Sequence, residues 1–157
     1  MRKTLLLLVF LAALPGFAAP RLALFDFTDI NGKASDEGAE LALLILPGIS
    51  SLENVDMIER KDLDKVLQEH KLVNSGLTQS QYLMLGTLLK ADYLITGRIY
   101  RLDGQKIINL KLIDCRTGDV SGKSFTLPQK DATTAVKPLS DYLINKISML
   151  KSASPVH

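Results

Sequence analysis

One stretch constrains this chain more than any other: Val55–Leu77, VDMIERKDLDKVLQEHKLVNSGL. A short apolar run, Val55-Asp56-Met57-Ile58, stops at a charged pair, Glu59-Arg60. A helical pattern begins at once. Leu63, Val66, Leu67 and His70 fall at i, i+3, i+4 and i+7, one stripe of an amphipathic helix. Asp62 and Asp64 sit in its first turn, where negative charge suits the helix macrodipole. Asn74-Ser75-Gly76 closes it with turn chemistry. The stretch therefore reads as strand, tight corner, helix, loop, with His70 half-buried on the apolar stripe.

The segment before it divides into a leader and the start of a domain. Arg2-Lys3 is a positive n-region, Leu5 to Leu14 an apolar run, and Pro15–Ala19 a small-residue exit. That is the form of a cleavable secretory signal over residues 1–18. An anchor helix needs roughly 20 apolar residues, and this run is shorter. The single cysteine, Cys115, lies far from the cleavage region, so neither a lipid attachment there nor an internal disulfide is expected. Without Arg2 and Lys3 the basic residues equal the 17 acidic ones. A neutral mature chain lacking Trp is a poor match for nucleic acid, which calls for a basic stripe and stacking aromatics.

The remainder, residues 20–151, reads as one domain. Leu22, Leu24 and Asp26 alternate with Ala23, Phe25 and Phe27, and both sides are largely apolar, as in a strand buried on two faces. A helix follows Ser35-Asp36, either of which can cap it, and Pro47-Gly48 is expected to end it. Its run Leu41, Ala42, Leu44, Ile45 is apolar most of the way round. Thr78 and Gln81 form a candidate capping box for a third helix, on which Tyr82, Leu85 and Leu89 share a face. Gly86 inside it implies close packing on a sheet. Ala91–Leu102 is a long strand in which Gly97 marks a bulge or a close backbone approach. Asp103-Gly104 turns it into a return strand, Lys106–Asp114, with Ile108, Leu110 and Leu112 alternating against Asn109 and Lys111. After Arg116–Asp119 turns the chain, Val120–Leu127 completes a meander. From Asp131 the helical period returns, with Pro138 either kinking that helix or marking its start, and Ser152–His157 fraying. The order β-α-β-α-α-β-β-β-α gives an α+β fold: a mixed sheet with a carboxy-terminal antiparallel meander and helices packed on it.

Little in this inventory carries chemistry. Arg60 beside Glu59 either faces a partner or ties down a carboxylate by paired hydrogen bonds, and the second role is favoured. Asp62 and Asp64 point to different sides of a helix and make a poor metal pair. Cys115 with His70 is a nucleophile pair only on paper. No nucleophile elbow and no glycine-rich phosphate loop is present. Catalytic, cofactor-binding and metal-binding residues are all expected to be absent, and no small-molecule substrate is expected.

Several motifs together resemble the CsgG-like family: Leu24-Phe25-Asp26-Phe27; Ile58-Glu59-Arg60 with Leu63, Val66, Leu67 and Glu69, continuing to Gly76; Leu85-Gly86 with Ala91-Asp92-Tyr93 to Gly97-Arg98-Ile99; and Leu112-Ile113-Asp114 with Thr117-Gly118-Asp119. The resemblance implies a fold similar to the TolB amino-terminal domain and to LpoB, and work done by binding and assembling with envelope proteins or with further copies of itself. Its family positions here are Asp26, Glu59, Arg60, Leu67, Glu69, Gly76, Asp92, Gly97 and Gly118. It implies a periplasmic protein, peripheral to the outer membrane, in secretion or curli-type assembly. A regulator of a peptidoglycan synthase is the alternative by analogy with LpoB, and a small hydrolase is the third reading. The chain departs from the family in lacking a lipidated cysteine, pore-forming hairpins and a long stalk.

Overall fold

A computed structural model describes residues 19–72, 77–127 and 132–153. The leader, the Asn74-Ser75-Gly76 turn with its Gly76, Asp131 and the last four residues lie outside that range. The elements are β1 (Arg21–Leu24), α1 (Asp36–Ser50), β2 (Asp56–Met57), α2 (Arg60–Glu69), α3 (Gln79–Leu89), β3 (Tyr93–Leu102), β4 (Gln105–Asp114), β5 (Val120–Leu127) and α4 (Ala132–Ala153). This is the expected α+β order. The strands form one sheet, β2-β1-β3-β4-β5. β1 runs parallel to both β2 and β3, and β3-β4-β5 is an antiparallel meander.

Local signals explain most element ends. The Ser35 hydroxyl accepts from the Gly38 N–H at the start of α1. Thr78 and Gln81 make a reciprocal capping box at the start of α3. Asp103 and Gly104 both have positive φ, as a two-residue type I′ hairpin requires.

The sheet carries two cores. Against one face lie α1 and α4, which bury Leu22, Leu24, Ile95, Leu110 and Leu112 beneath Ile45, Ile49, Leu139, Leu143 and Ile147. Against the other lie α2 and α3, which bury Ala23, Phe25, Leu94 and Ile113 beneath Leu63, Leu67, Leu85 and Leu89. β1 is thus dry on both sides, as its sequence implied. The second cover is short: α2 and α3 sit over β1 and the first half of β3. Among the described residues, no helix lies over the rest of the meander on that side.

Four expectations need correction. The helix α1 does not stop at Pro47 but runs on to Ser50. The missing Pro47 N–H strands the Leu43 carbonyl on the water side, where Leu43 itself is 66% exposed. Meanwhile Gly48 lets Ser140 of α4 come so close that a Cβ would lie 2.7 Å from its hydroxyl. Packing on α4 therefore carries the helix past the proline, and Leu43 leaves the apolar girdle incomplete. In α4, Pro138 lies inside the helix, the first of its two expected places, but Ser152 and Ala153 remain helical where fraying was expected. His70 is exposed, not half-buried. It is the C-cap residue of α2, where the backbone leaves the helical path, and Leu72 packs on the core instead. Finally, Phe27 does not share a side with Phe25, for the reason given next.

Candidate docking surface

The stretch Leu24-Phe25-Asp26-Phe27 is built around one extra residue. Leu24 pairs with Ile95 and Thr28 with Arg98, so four steps on the first strand oppose three on β3. Phe25 N–H donates to the Ile95 carbonyl, and Thr28 N–H, not Phe27 N–H, donates to that of Gly97. This is a bulge, and it re-aims side chains. Phe25 stays in the α2/α3 core, edge-on to Tyr82 at 5.4 Å between ring centres. Phe27 drops into the α1/α4 core. Asp26 is released toward the start of α2.

Two glycines make room for the bulge. A Cβ on Gly97 would lie 2.4 Å from the Phe27 ring, and one on Gly38 would lie 1.7 Å from the Phe27 carbonyl oxygen. Gly97 therefore marks a close approach, and the β3–β4 register runs through it without interruption. Gly38 escaped the sequence reading because its need is tertiary: the glycine sits in a first helical turn with no positive φ to flag it.

Asp26 meets Arg60, whose two terminal nitrogens donate to both of its carboxylate oxygens. The Asp26 side chain is 13% exposed and that of Arg60 48%. Hydrogen bonding to Asp26 holds the Arg60 guanidinium above its ordinary pKa, against the opposing effect of burial. Arg60 also reaches Asp64 one turn on, at 3.3 Å. The pair thus pins the first turn of α2 to the bulged end of β1. Glu59, beside it, is the N-cap residue but makes no side-chain cap; it pairs with Lys61 in the open. Leu67 is buried in the α2/α3 core, and Glu69 lies exposed, 3.9 Å from Lys65.

The remaining family positions fall at the opposite end of the strands. Asp92 accepts from the Arg21 N–H at 2.8 Å, joining the starts of β1 and β3. Gly118 takes the positive φ of the β4–β5 turn, and its carbonyl accepts from the Gln79 side chain of α3. Next to it lies an anchor the sequence did not single out as a site. Asp114, 6% exposed, accepts from the Arg116 and Thr117 N–H groups and pairs with the Arg116 guanidinium. Only its place at a strand end before a Thr-Gly-Asp turn hinted at this. The structure therefore splits those of the expected positions that it describes between two ends of the sheet and does not gather them into one cluster.

The Cys115 thiol is pushed up to about 11, mainly by burial and then by Asp114 and Asp92, so it stays protonated at neutral pH. It packs where a Cβ on Gly86 would lie 2.5 Å from its sulfur, which explains that glycine. Among the described residues, no group of three or more His, Cys, Asp or Glu side chains is placed to hold a metal, and no helix is long and apolar enough to cross a membrane.

A cleft opens beside the bulge, on the α2/α3 side where the helices stop. Thr28, Tyr82, Thr96, Arg98, Asn109 and Lys111 line it, with room for about 60 Å³. The Tyr82 hydroxyl is hydrogen-bonded to that of Thr96 at 3.1 Å. Beyond the cleft the same face continues over Tyr100, Ile107, Gly122, Ser124 and Thr126, all half-buried or exposed. The arrangement offers a solvated sheet surface with hydroxyl, amide and cationic groups.

The family model described as curli production assembly/transport component CsgG matches residues 33–107, from just before α1 into β4. Over that stretch, a little under half of its length, the chain is similar to CsgG. The match takes in Glu59, Arg60, Leu67, Glu69, Gly76, Asp92 and Gly97; Asp26 and Gly118 lie outside it. No curated protein matches the chain. Among solved structures, the LpoB C-terminal domain from Escherichia coli superposes with a TM-score of 0.56 at 14% identity, over 76% of this chain and 90% of that one. The Salmonella enterica LpoB C-terminal domain gives 0.55 at 14% identity, over 71% and 84%. TolB from Acinetobacter baumannii gives 0.53 at 14% identity, over 80% of this chain and 27% of TolB. At such identities the likeness is one of fold. It agrees with the fold that the CsgG resemblance implied.

Proposed function

We propose that this chain is an exported, non-enzymatic, CsgG-like domain that binds proteins at the cell envelope and takes part in secretion or assembly at the outer membrane. The observation that carries the reading is the CsgG match across α1, α2, α3 and β3, the elements that build the bulge corner and border the open half-sheet. Three others support it. The leader has the form of a secretory signal. The buried groups at the family positions hold strands and helices together and leave the open face free to dock. The one cysteine is held as a neutral thiol, a poor nucleophile. In this reading the mature chain lies in the periplasm, peripheral to the outer membrane, and Asp26, Arg60, Asp92, Gly97 and Gly118 shape the docking platform rather than touch a substrate.

The test is chemical cross-linking in intact cells, followed by fractionation and identification of the trapped species. The proposal expects the chain in the periplasmic or outer-membrane fraction, shortened by its leader and joined to an envelope protein. A full-length chain in the cytosol, or cross-linking that recovers no envelope protein, contradicts it. A regulator of a peptidoglycan synthase is the second reading, favoured by the superposition on 90% of the E. coli LpoB C-terminal domain. Its test is separate: the purified mature chain changes the rate of a peptidoglycan synthase if that reading holds, and leaves the rate unchanged if it does not.

A further inference from the structure

The two sides of the meander treat their cations differently. On the α1/α4 side, Arg101 and Lys106 both reach Glu37 of α1, and Lys123 lies over the rings of Phe125 and Tyr142 at 5.3 and 5.6 Å. At the sheet's end Arg116 is paired with Asp114. On the α2/α3 side, Arg98 and Lys111 are exposed on adjacent strands, and among the described residues neither has a carboxylate partner. No acidic residue occupies this face of β3 and β4 from Thr96 to Leu102 and from Gln105 to Lys111. The face is therefore positive in a mature chain whose formal charge is neutral overall.

We propose that this face binds an extended acidic peptide segment of a partner protein, with one carboxylate seated in the cleft between Arg98 and Lys111. The proposal rests on the protein-binding reading above and names the surface and the chemistry it would use. Arg98 supplies a planar fork that fits a carboxylate, and Lys111 a second charge one diagonal step away on β4. Tyr82, held at its hydroxyl by Thr96, and Asn109 supply further donors. A free volume of about 60 Å³ admits a carboxylate with a few waters. The neighbouring Gly122, Ser124 and Thr126 offer a low, polar shelf along which an extended chain can lie. Two cations are too few for the phosphate contacts that a nucleic acid requires.

The test uses the purified mature chain and a short polyglutamate peptide, with polyglutamine of equal length and inorganic phosphate as comparisons. Binding is followed by backbone amide NMR shifts at low and at high salt. Expected are saturable shifts at Thr96, Arg98, Asn109 and Lys111 with polyglutamate, weakened by salt, and none with polyglutamine. Arg98→Gln and Lys111→Gln should each weaken binding roughly tenfold, since each removes a charge-assisted hydrogen bond. Lys65→Gln, on the far side of α2, should leave it unchanged. Shifts scattered over every exposed lysine, no shift in the cleft, or equal binding of phosphate and polyglutamate would each overturn the acidic-peptide assignment. A partner trapped in cells that still binds the Arg98→Gln/Lys111→Gln protein would overturn this surface and leave the proposed function standing. Peptide binding in the cleft by a chain that stays in the cytosol would do the reverse.

Discussion

The sheet has one face with a long helical cover and one with a short cover, built from the same strands. On the α1/α4 side, two helices lie along the meander, the central positions Ile95, Ile99, Ile108, Leu110 and Leu112 are dry, and the cations at the margin find Glu37 or an aromatic ring. On the α2/α3 side the cover ends near Thr96, and β4 changes character along its length. Ile113 is buried, Asn109 half-buried and Lys111 exposed, though all three point the same way. The contrast shows what the Asp26–Arg60 corner does. The Asp26–Arg60 pair and the capping box of α3 fix where the second cover stops, and so fix where an open, charged surface begins.

The core comparison gives the largest effects. Leu143→Ala on the covered face and Leu67→Ala under the short cover should each cost about 2–5 kcal/mol. Leu143 should be the costlier, because its cluster is larger and it is fully buried, whereas Leu67 is 6% exposed. Denaturant melts of the two variants check the order; a Leu67→Ala curve matching wild type would contradict the placement of α2. Next comes the corner. Arg60→Ala strands the nearly buried Asp26 carboxylate and should cost about 1–3 kcal/mol. Asp26→Ala leaves Arg60 free to turn its half-exposed guanidinium to water and should cost less. Equal losses in urea titrations would show that the pair is not seated asymmetrically.

Cys115 sharpens the comparison through pH. Its folded pKa, about 11, stands above the ordinary thiol value of 9.0. Below pH 9 both folded and unfolded thiols are protonated and the shift has no effect. Between pH 9 and 11 the unfolded thiol ionises first, so stability falls as pH rises. Cys115→Ala should remove that component, and the difference between the two melting-temperature profiles should open only above pH 9. A difference that opens at neutral pH would contradict the neutral, buried thiol. The smallest effect belongs to the open face: Arg98→Gln and Lys111→Gln should change stability by less than about 0.5 kcal/mol. A large loss would mean that these cations hold the fold and are not free to bind.

Much of this architecture could be read from residue patterns. Ser35, Thr78 with Gln81, Asp103-Gly104 and Gly118 are local signals, and each places an element end where the chain puts it. The two-sided apolar character of residues 22–25 anticipates a strand between two helix layers. What stayed hidden depends on distant partners. The bulge is a mismatch of register between the first strand and Thr96–Arg98, and no local alternation contains it; hence Phe27 was expected beside Phe25. Pro47 misled because the helix-breaking cost of proline is local, whereas the α4 packing that outweighs it is not. His70 followed the helical period one residue beyond the point where the backbone leaves it. At the corner, a charged pair after a strand flagged Arg60, but its partner Asp26 is far away in sequence. The cleft gave no motif at all: Arg98 and Lys111 look like ordinary wet strand positions until the position of the cover is known.

The most direct test of a docking domain with one working face is a photo-cross-linking amino acid placed in turn at Ser124, on the uncovered side, and at Leu43, on the outer surface of α1. The account predicts that the Ser124 probe traps an envelope protein in living cells, that the Leu43 probe does not, and that Arg98→Gln/Lys111→Gln abolishes the Ser124 product. Capture of the same partner from Leu43 alone, or none from either position, would contradict it.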